Sequence, residues 1–115
     1  MGGVHPPISR TPEPPYTAVI FTSTRTPDDH GYERMSARME QLAREQPGYL
    51  GHESAHEDTV GITVSYWVAH DAAAAWKQVA EHLVAQERGQ STWYTDYTVR
   101  VATVERHYRK PAATH

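Results

Sequence analysis

The chain has 115 residues, a formal net charge of −3 and no cysteine. This length suits one domain, and the lack of cysteine excludes disulfides, thiolate catalysis and cysteine-based zinc sites. The mild negative charge argues against nucleic acid, which needs a basic surface. No apolar run approaches the roughly 20 residues of a membrane span. We therefore expect a cytoplasmic protein with neither a nucleic-acid nor a membrane partner.

The two ends of the chain differ in composition from the middle. Residues 1–15 hold five of the eight prolines and almost nothing apolar. Such a composition predicts a disordered or extended arm, since there is too little apolar surface to bury. The tail at residues 110–115 is similar, so the folded domain is expected at residues 16–109.

The first four elements are a strand, a helix and a hairpin. Residues 16–24 are apolar at neighbouring positions, as in a strand covered on both faces. A one-sided apolar stripe then predicts a helix that runs to Gln46. Residues 49–57 and 62–70 are β-rich and flank a turn at residues 58–61, which predicts two paired strands.

A second helix and a last strand complete the order. Asp71 is placed to cap the helix and Gly89 to end it. Residues 93–108 predict a long strand, in which the apolar alternation changes phase. That change suggests a bulge near residues 102–103.

The order β-α-β-β-α-β predicts a ferredoxin-like α+β fold. Two helices can cover only one face of a four-stranded sheet. The third strand nevertheless places Ile62, Val64 and Tyr66 on one face and Trp67 on the other. We therefore expect a homodimer in which apolar residues of strands three and four meet those of a second copy.

Four segments together carry a resemblance to a known family. "QPGYLGHES", "VSYW", "AWKQVAEHLVAQ" and "WYTDYTVRVATVERHY" resemble the antibiotic biosynthesis monooxygenase family, and the similarity covers residues 16–109. The resemblance implies a homodimer whose sheets form a dimeric α+β barrel, with a pocket between the sheet and the helices of each protomer. Some members oxidise aromatic polyketides with molecular oxygen and no metal or flavin, and others bind and degrade haem.

The functional residues of the family are matched only in part. Trp67 matches a tryptophan of the members that oxidise anthrone-type substrates, whereas Thr63 and Ala73 replace their asparagine and tyrosine. Trp76 matches a helical tryptophan of the haem-degrading members, whereas Gln86 stands where they have the iron-ligating histidine. The chain contains no asparagine at all.

The residues themselves suggest a base beside an aromatic wall. Trp76 and His82 lie about 120° apart on an ideal helix, so His82 is expected at the margin of the apolar stripe. Cofactor-free oxygenation needs a base that titrates near neutrality, and histidine is the usual candidate. We therefore expect His82, Trp67 and Trp76 to form the catalytic group around one cavity, while Glu81 is expected in solvent. The alternative is a histidine that bonds a neighbouring strand beside two core tryptophans.

Further residues are expected to contact the substrate. They lie on the third strand, the second helix and the start of the last strand: Tyr66, Val79, Leu83, Gln86, Trp93 and Tyr97. His52 and His56 are four residues apart on a strand, which separates them by about 13 Å. We therefore expect exposed strand residues there and no metal site.

Three functions are consistent with these residues. The first is a cofactor-independent monooxygenase or oxidase that acts on, or binds, a planar aromatic, polyketide-like small molecule. The second is a haem-binding or haem-degrading protein in which His82 replaces the missing ligand, so that haem would be the cofactor. The third is a non-catalytic dimer that binds a small molecule.

Overall fold

A computed structural model describes residues 8–27, 31–87 and 93–111. Six elements follow one another in the order that the sequence predicts, and they form a four-stranded sheet with the strand order β2-β3-β1-β4. Each pair of neighbouring strands is antiparallel. The ferredoxin-like α+β fold is thus confirmed. The elements are β1 (Tyr16–Arg25), α1 (Tyr32–Arg44), β2 (Tyr49–Glu57), β3 (Val60–Trp67), α2 (His70–Glu87) and β4 (Tyr94–Val104).

The last strand is shorter than predicted, and its irregularity lies elsewhere. The register between β1 and β4 is unbroken from Tyr16↔Val104 to Thr24↔Asp96. The shift falls at Arg25, beyond the Thr24 pair, so the bulge predicted near residues 102–103 is wrong. The phase change in the sequence has another cause, because the chain leaves the sheet after Val104 and later residues need not alternate.

The strand register divides the sheet residues into two faces. On β3, Trp67, Ser65 and Thr63 point toward the helices, and Tyr66 and Ile62 point the other way. We call these the helix face and the far face of the sheet. The division predicted for the third strand is confirmed, because side chains alternate along a strand.

The core lies between the helices and the helix face of the sheet. One cluster joins Trp67 to Ala73 and Trp76 of α2 and to Ala43 of α1. A second cluster is formed by Met35, Leu83 and Trp93. Burial of these apolar surfaces is the main favourable contribution to folding.

Three apolar residues of β4 lie on the helix face, whereas Ala102 and Val104 lie on the far face. Tyr97, Val99 and Val101 pair with Ser23, Phe21 and Val19 of β1, and all three are at least 40% exposed. β4 is an edge strand, and the helices leave these side chains partly uncovered. These three side chains therefore do not add to a contact through the far face, and the predicted contribution of strand four to a dimer stays a prediction for Ala102 and Val104.

The described part of the N-terminal arm contacts the domain. The Ser9 amide donates to Glu53 Oε2 at 2.9 Å, and the Ser9 hydroxyl donates to the His52 carbonyl at 3.0 Å. A Cβ on Gly51 would lie 2.7 Å from the Ser9 hydroxyl, so only glycine fits beneath the arm. These hydrogen bonds fit the extended alternative for residues 8–15, and the predicted disorder of residues 1–15 stays a prediction. Residues 1–7 and 112–115 lie outside the described residues.

In the described ranges, no helix is long and apolar enough to cross a membrane.

Candidate functional site

A cavity of about 660 Å³ lies between the two helices and the helix face of the sheet. This volume is in the range of small-molecule sites. The walls are mostly apolar and aromatic, and a few polar side chains lie among them. The sheet contributes Val19, Phe21, His52, Thr63, Ser65, Tyr97, Val99 and Val101, and the principal helical residues are Tyr32, Met35, Met39, Glu40, Trp76, Lys77, Ala80, Glu81 and Val84.

Trp76 forms part of the cavity wall, whereas Trp67 lies behind it. Trp67 is completely buried and stacks on Trp76, with ring centroids 5.8 Å apart and 22° between the ring planes. The Trp67 indole N–H donates to the Ser65 hydroxyl at 2.9 Å. Trp67 therefore holds Trp76 and Ser65 in place, and those two residues line the cavity. Direct stacking differs from the expectation that both rings stand around a ligand.

Aromatic rings form one end of the cavity. Phe21 and Tyr97 have ring centroids 5.5 Å apart, and Tyr94 packs edge-on against Phe21 at 5.5 Å. Tyr32 of α1 packs edge-on against Tyr94 at 5.9 Å. Burial, together with the neighbouring Tyr32, raises the pKa of Tyr94 above its ordinary value, so this phenol stays neutral at physiological pH. Such a wall suits the face or the edge of a planar ring system.

A polar network lies where α1 faces β2. His52 Nδ1 is 2.6 Å from the Tyr49 hydroxyl, and His52 Nε2 is 3.6 Å from Glu40 Oε1. The same Glu40 oxygen is 3.6 Å from the Arg44 guanidinium, which also hydrogen-bonds the Tyr49 side chain. Burial is the main cause of a raised pKa at Tyr49. The four side chains close a ring, and His52 and Glu40 are the two that line the cavity.

Ser65 and Thr63 add hydroxyl groups to the floor of the cavity. Ser65 pairs with His52 across the β2–β3 ladder, so the two side chains lie on neighbouring positions of the helix face. Its oxygen accepts from Trp67, which leaves its own O–H to donate. The Thr63 hydroxyl lies 2.9 Å from that of Ser54. The cavity thus combines an aromatic end with hydrogen-bonding groups near β2.

His82 lies away from the cavity. Its side chain is exposed and is not part of the wall. Glu81 is exposed as expected, but it also lies at the rim of the cavity, where it pairs with Lys77 at 2.9 Å. His82 lies outside the cavity because the cavity contacts the other side of α2, which carries Ala73 and Ala80. At 3.6 residues per turn, His82 is about 180° around the helix from Ala73.

The residues predicted to contact substrate occupy several different places. Tyr97 lines the cavity. Val79 packs against the first core cluster, and Leu83 and Trp93 belong to the second. Tyr66 lies on the far face, where its hydroxyl donates to Glu53 at 2.7 Å. The side chain of Gln86 lies outside the described residues.

His52 and Glu40 are the site residues that the sequence analysis missed. His52 was expected to be exposed, yet only 13% of its side chain is accessible. The four-residue spacing between His52 and His56 suggested a metal site, but on a strand this spacing places the two side chains too far apart to bind one ion. The signal that was present is the position of His52 in "YLGHES", one of the segments that carry the family resemblance. Glu40 has no such signal, because it lies on a different element.

The histidine that the second hypothesis assigns to haem is not part of the cavity wall. His82 lies outside the wall, His52 Nδ1 is 2.6 Å from the Tyr49 hydroxyl, and His70 Nε2 lies 2.9 Å from the Thr103 hydroxyl. In residues 8–27, 31–87 and 93–111, no three His, Asp or Glu side chains form a group that could hold a metal ion.

Comparison with solved structures shows which proteins share this fold. SnoaB from Streptomyces nogalater, described as a cofactor-independent oxygenase, superposes with a TM-score of 0.63 at 16% identity over 86% of this chain and 100% of its own. A putative antibiotic biosynthesis monooxygenase from Nitrosomonas europaea has a TM-score of 0.59 at 13% identity, over 89% of this chain and 99% of its own. The chain thus has the ferredoxin-like fold of proteins similar to the antibiotic biosynthesis monooxygenases.

A sequence relative defines the family more narrowly. The chain is 53% identical to the uncharacterized protein YqjZ of Bacillus subtilis (strain 168) over 100 residues, which are 86% of this chain and 88% of YqjZ. No family model matches the chain. The chain belongs to the same family as YqjZ.

Proposed function

We propose that this protein binds a planar aromatic, polyketide-like molecule in the cavity and oxidises it with molecular oxygen without a cofactor. The observation that carries the proposal is the composition of the cavity wall, in which the rings of Phe21, Trp76 and Tyr97 lie in one cavity with the His52–Glu40 pair. Rings position a flat ligand, and the polar pair supplies acid–base groups. The description of SnoaB as a cofactor-independent oxygenase supports the same chemistry.

The reaction needs a substrate whose ring system can lose a proton. An anthrone has a CH₂ group beside aromatic rings, and its carbanion can pass an electron to oxygen. The overall change converts this CH₂ to C=O, and the second oxygen atom leaves as water with the two hydrogens. Oxygen is the oxidant and the substrate supplies all the electrons, so the equation balances without a metal, flavin or external reductant.

Oxygen consumption with dithranol, a three-ring anthrone, tests the proposal. The protein should increase oxygen uptake and formation of the quinone above the rate of spontaneous oxidation. Ala80→Phe should abolish the increase, because Ala80 lines the cavity and a phenyl ring would occupy it. Ala75→Phe is the matched control, since Ala75 is exposed on the same helix. Binding of dithranol without oxygen uptake would instead indicate the non-catalytic binding function.

We also propose that the protein forms a homodimer through the far face of the sheet. Val60 and Ile62 of β3 are 47% and 46% exposed there. The two helices cover only the opposite face, and an exposed apolar sheet face favours association with a second copy. Light scattering at micromolar concentration should give twice the mass of one chain. Ile62→Lys should give monomers, whereas Gln78→Lys on the exposed side of α2 should not. A monomeric wild-type protein would contradict the proposal.

A further inference from the structure

We propose that Glu40 and His52 form a proton-transfer pair that selects aromatic ligands with an acidic hydroxyl group. Glu40 takes the proton of the hydroxyl, and His52 Nε2–H donates a hydrogen bond to the resulting oxyanion. This inference rests on the proposed function, since it names the class of aromatic molecule that the same cavity takes. It assigns the chemistry to two residues on different elements, α1 and β2.

The ring of four side chains is consistent with one arrangement of the protons. Arg44 donates to the Tyr49 oxygen, and Tyr49 retains its proton because burial raises its pKa. With the His52 proton on Nε2, the Tyr49 O–H donates to His52 Nδ1, and the two atoms are 2.6 Å apart. A neutral imidazole that accepts at Nδ1 carries its proton on Nε2. The Nε2–H therefore points toward Glu40, which is the direction of the cavity.

The distance between the pair leaves both groups able to bind a ligand. His52 Nε2 and Glu40 Oε1 are 3.6 Å apart, and Glu40 is also 3.6 Å from Arg44. Both distances exceed the usual length of a hydrogen bond. A ligand oxygen that lies to the side of the line from Nε2 to Oε1, about 2.8 Å from each atom, could hydrogen-bond to both. Such charge-assisted hydrogen bonds are stronger than neutral ones.

The neighbouring charged groups favour an anionic ligand oxygen. Arg44 lies 3.6 Å from Glu40 and adds a positive charge beside the site, which attracts the oxyanion that forms. On α2, Lys77 and Glu81 line the same cavity but pair with each other, so their charges offset. The Ser65 hydroxyl, next to His52, can donate a second hydrogen bond to the oxyanion.

The step conserves atoms and charge. The O–H bond of the ligand breaks, its electron pair stays on the ligand oxygen, and the proton forms an O–H bond with a Glu40 oxygen. The negative charge thus passes from Glu40 to the ligand, where the aromatic ring delocalises it. In the enol tautomer of an anthrone, loss of the O–H proton gives the same anion as loss of a CH₂ proton from the keto tautomer, and this anion reacts with oxygen.

Two dyes that differ by hydroxyl groups test the inference. Alizarin is a hydroxylated anthraquinone whose colour changes when it ionises, and anthraquinone has the same rings without hydroxyl groups. At a pH where free alizarin is mostly neutral, the wild-type protein should bind it with the spectrum of the ionised dye. Glu40→Gln should weaken alizarin binding by about tenfold or more, as loss of a hydrogen bond to a charged group predicts, and should restore the neutral spectrum. His52→Leu should do the same.

Matched variants separate the pair from general effects of substitution. Glu45→Gln lies at the end of the same helix, and His56→Leu lies on the same strand, and both side chains are exposed. Neither should change alizarin binding, and anthraquinone should bind all five proteins equally. Glu40 is 41% exposed, so its replacement should leave the melting curve intact. If His52→Leu unfolds the protein, Glu40→Gln alone decides.

The outcomes distinguish this inference from the proposed function. If Glu40→Gln leaves alizarin affinity and spectrum unchanged while both dyes bind, the proton-transfer pair is wrong and the aromatic cavity remains. If the wild-type protein binds neither dye, the proposed function fails as well. An ionised alizarin spectrum without oxygen uptake by dithranol would support the pair in a binding protein and contradict the oxygenase reaction.

Discussion

Trp67 and Trp76 stack at a centroid distance of 5.8 Å, and Trp76 alone of the two lines the cavity. Trp67 is the last residue of β3, and Trp76 lies in the second turn of α2. One pair of rings thus joins the sheet to the helix and forms the back of the cavity wall. If the cavity binds the proposed ligand, stability and binding depend on the same contact.

Trp76→Ala should damage both properties. The free energy of unfolding should fall by roughly 3–5 kcal/mol, because a large buried ring is lost and the site collapses only partly. Anthraquinone binding should weaken because the wall is removed. Trp76→Phe keeps a ring in place and should lose less of both. Urea unfolding and dye titration measure the two effects, and an unchanged midpoint for Trp76→Ala would show that the stack is not part of the core.

His82→Ala should change neither stability nor binding. The side chain is exposed and is not part of the cavity wall, and exposed substitutions usually alter unfolding free energy by less than about 0.5 kcal/mol. Melting curves and oxygen uptake with dithranol provide the measurements. Loss of turnover with unchanged stability would restore His82 as the catalytic base and contradict the position of the cavity described here.

Removal of residues 1–13 should lower the melting temperature by several degrees. Ser9 makes two hydrogen bonds to β2, and the Thr11 hydroxyl donates to the Tyr16 hydroxyl at 2.9 Å. Each such bond contributes about 0.5–1.5 kcal/mol. Ser9→Ala should produce a smaller decrease in the same direction. Calorimetry of the truncated and full-length chains decides, and equal melting temperatures would show that the arm contributes nothing.

Alkaline pH should unfold the protein through its buried tyrosines. Burial and the Glu53 carboxylate raise the pKa of Tyr66 above the ordinary tyrosine value of about 10, and burial and Tyr32 do the same for Tyr94. A phenol whose pKa is higher in the folded state contributes stability below the unfolded pKa, and this contribution is lost as pH rises through the folded value. Unfolding free energy should therefore decline above about pH 10.

Tyr66→Phe provides the comparison for this pH dependence. Its stability should decline less steeply with alkaline pH, because one of the shifted groups is absent. Phenolate absorbance should show fewer tyrosines titrating in the folded wild-type protein than after unfolding in denaturant, because the pKa values of Tyr49, Tyr66 and Tyr94 are all raised. Ionisation of all seven tyrosines before unfolding would contradict the raised values.

Local patterns were sufficient for the elements and for their order. The β2–β3 hairpin, the apolar stripe of α1 and the alternation around Trp67 depend on neighbours in sequence, and all three are confirmed. Local patterns could not predict whether His82 faces the cavity. The helical period gives the angle between Trp76 and His82, but the side of Trp76 on which the cavity lies depends on how α2 packs against the sheet.

The sequence by itself determined the βαββαβ order and the face of β3 that each residue occupies, because backbone periodicity is a local property. The tertiary structure decided the contacts between distant segments. It brought Glu40 of α1 within 3.6 Å of His52 of β2, placed Ser9 on Glu53, and left Val99 and Val101 uncovered at the cavity. No pattern within either partner specifies such a pair, since its geometry arises only when packed elements fix their mutual distance and rotation.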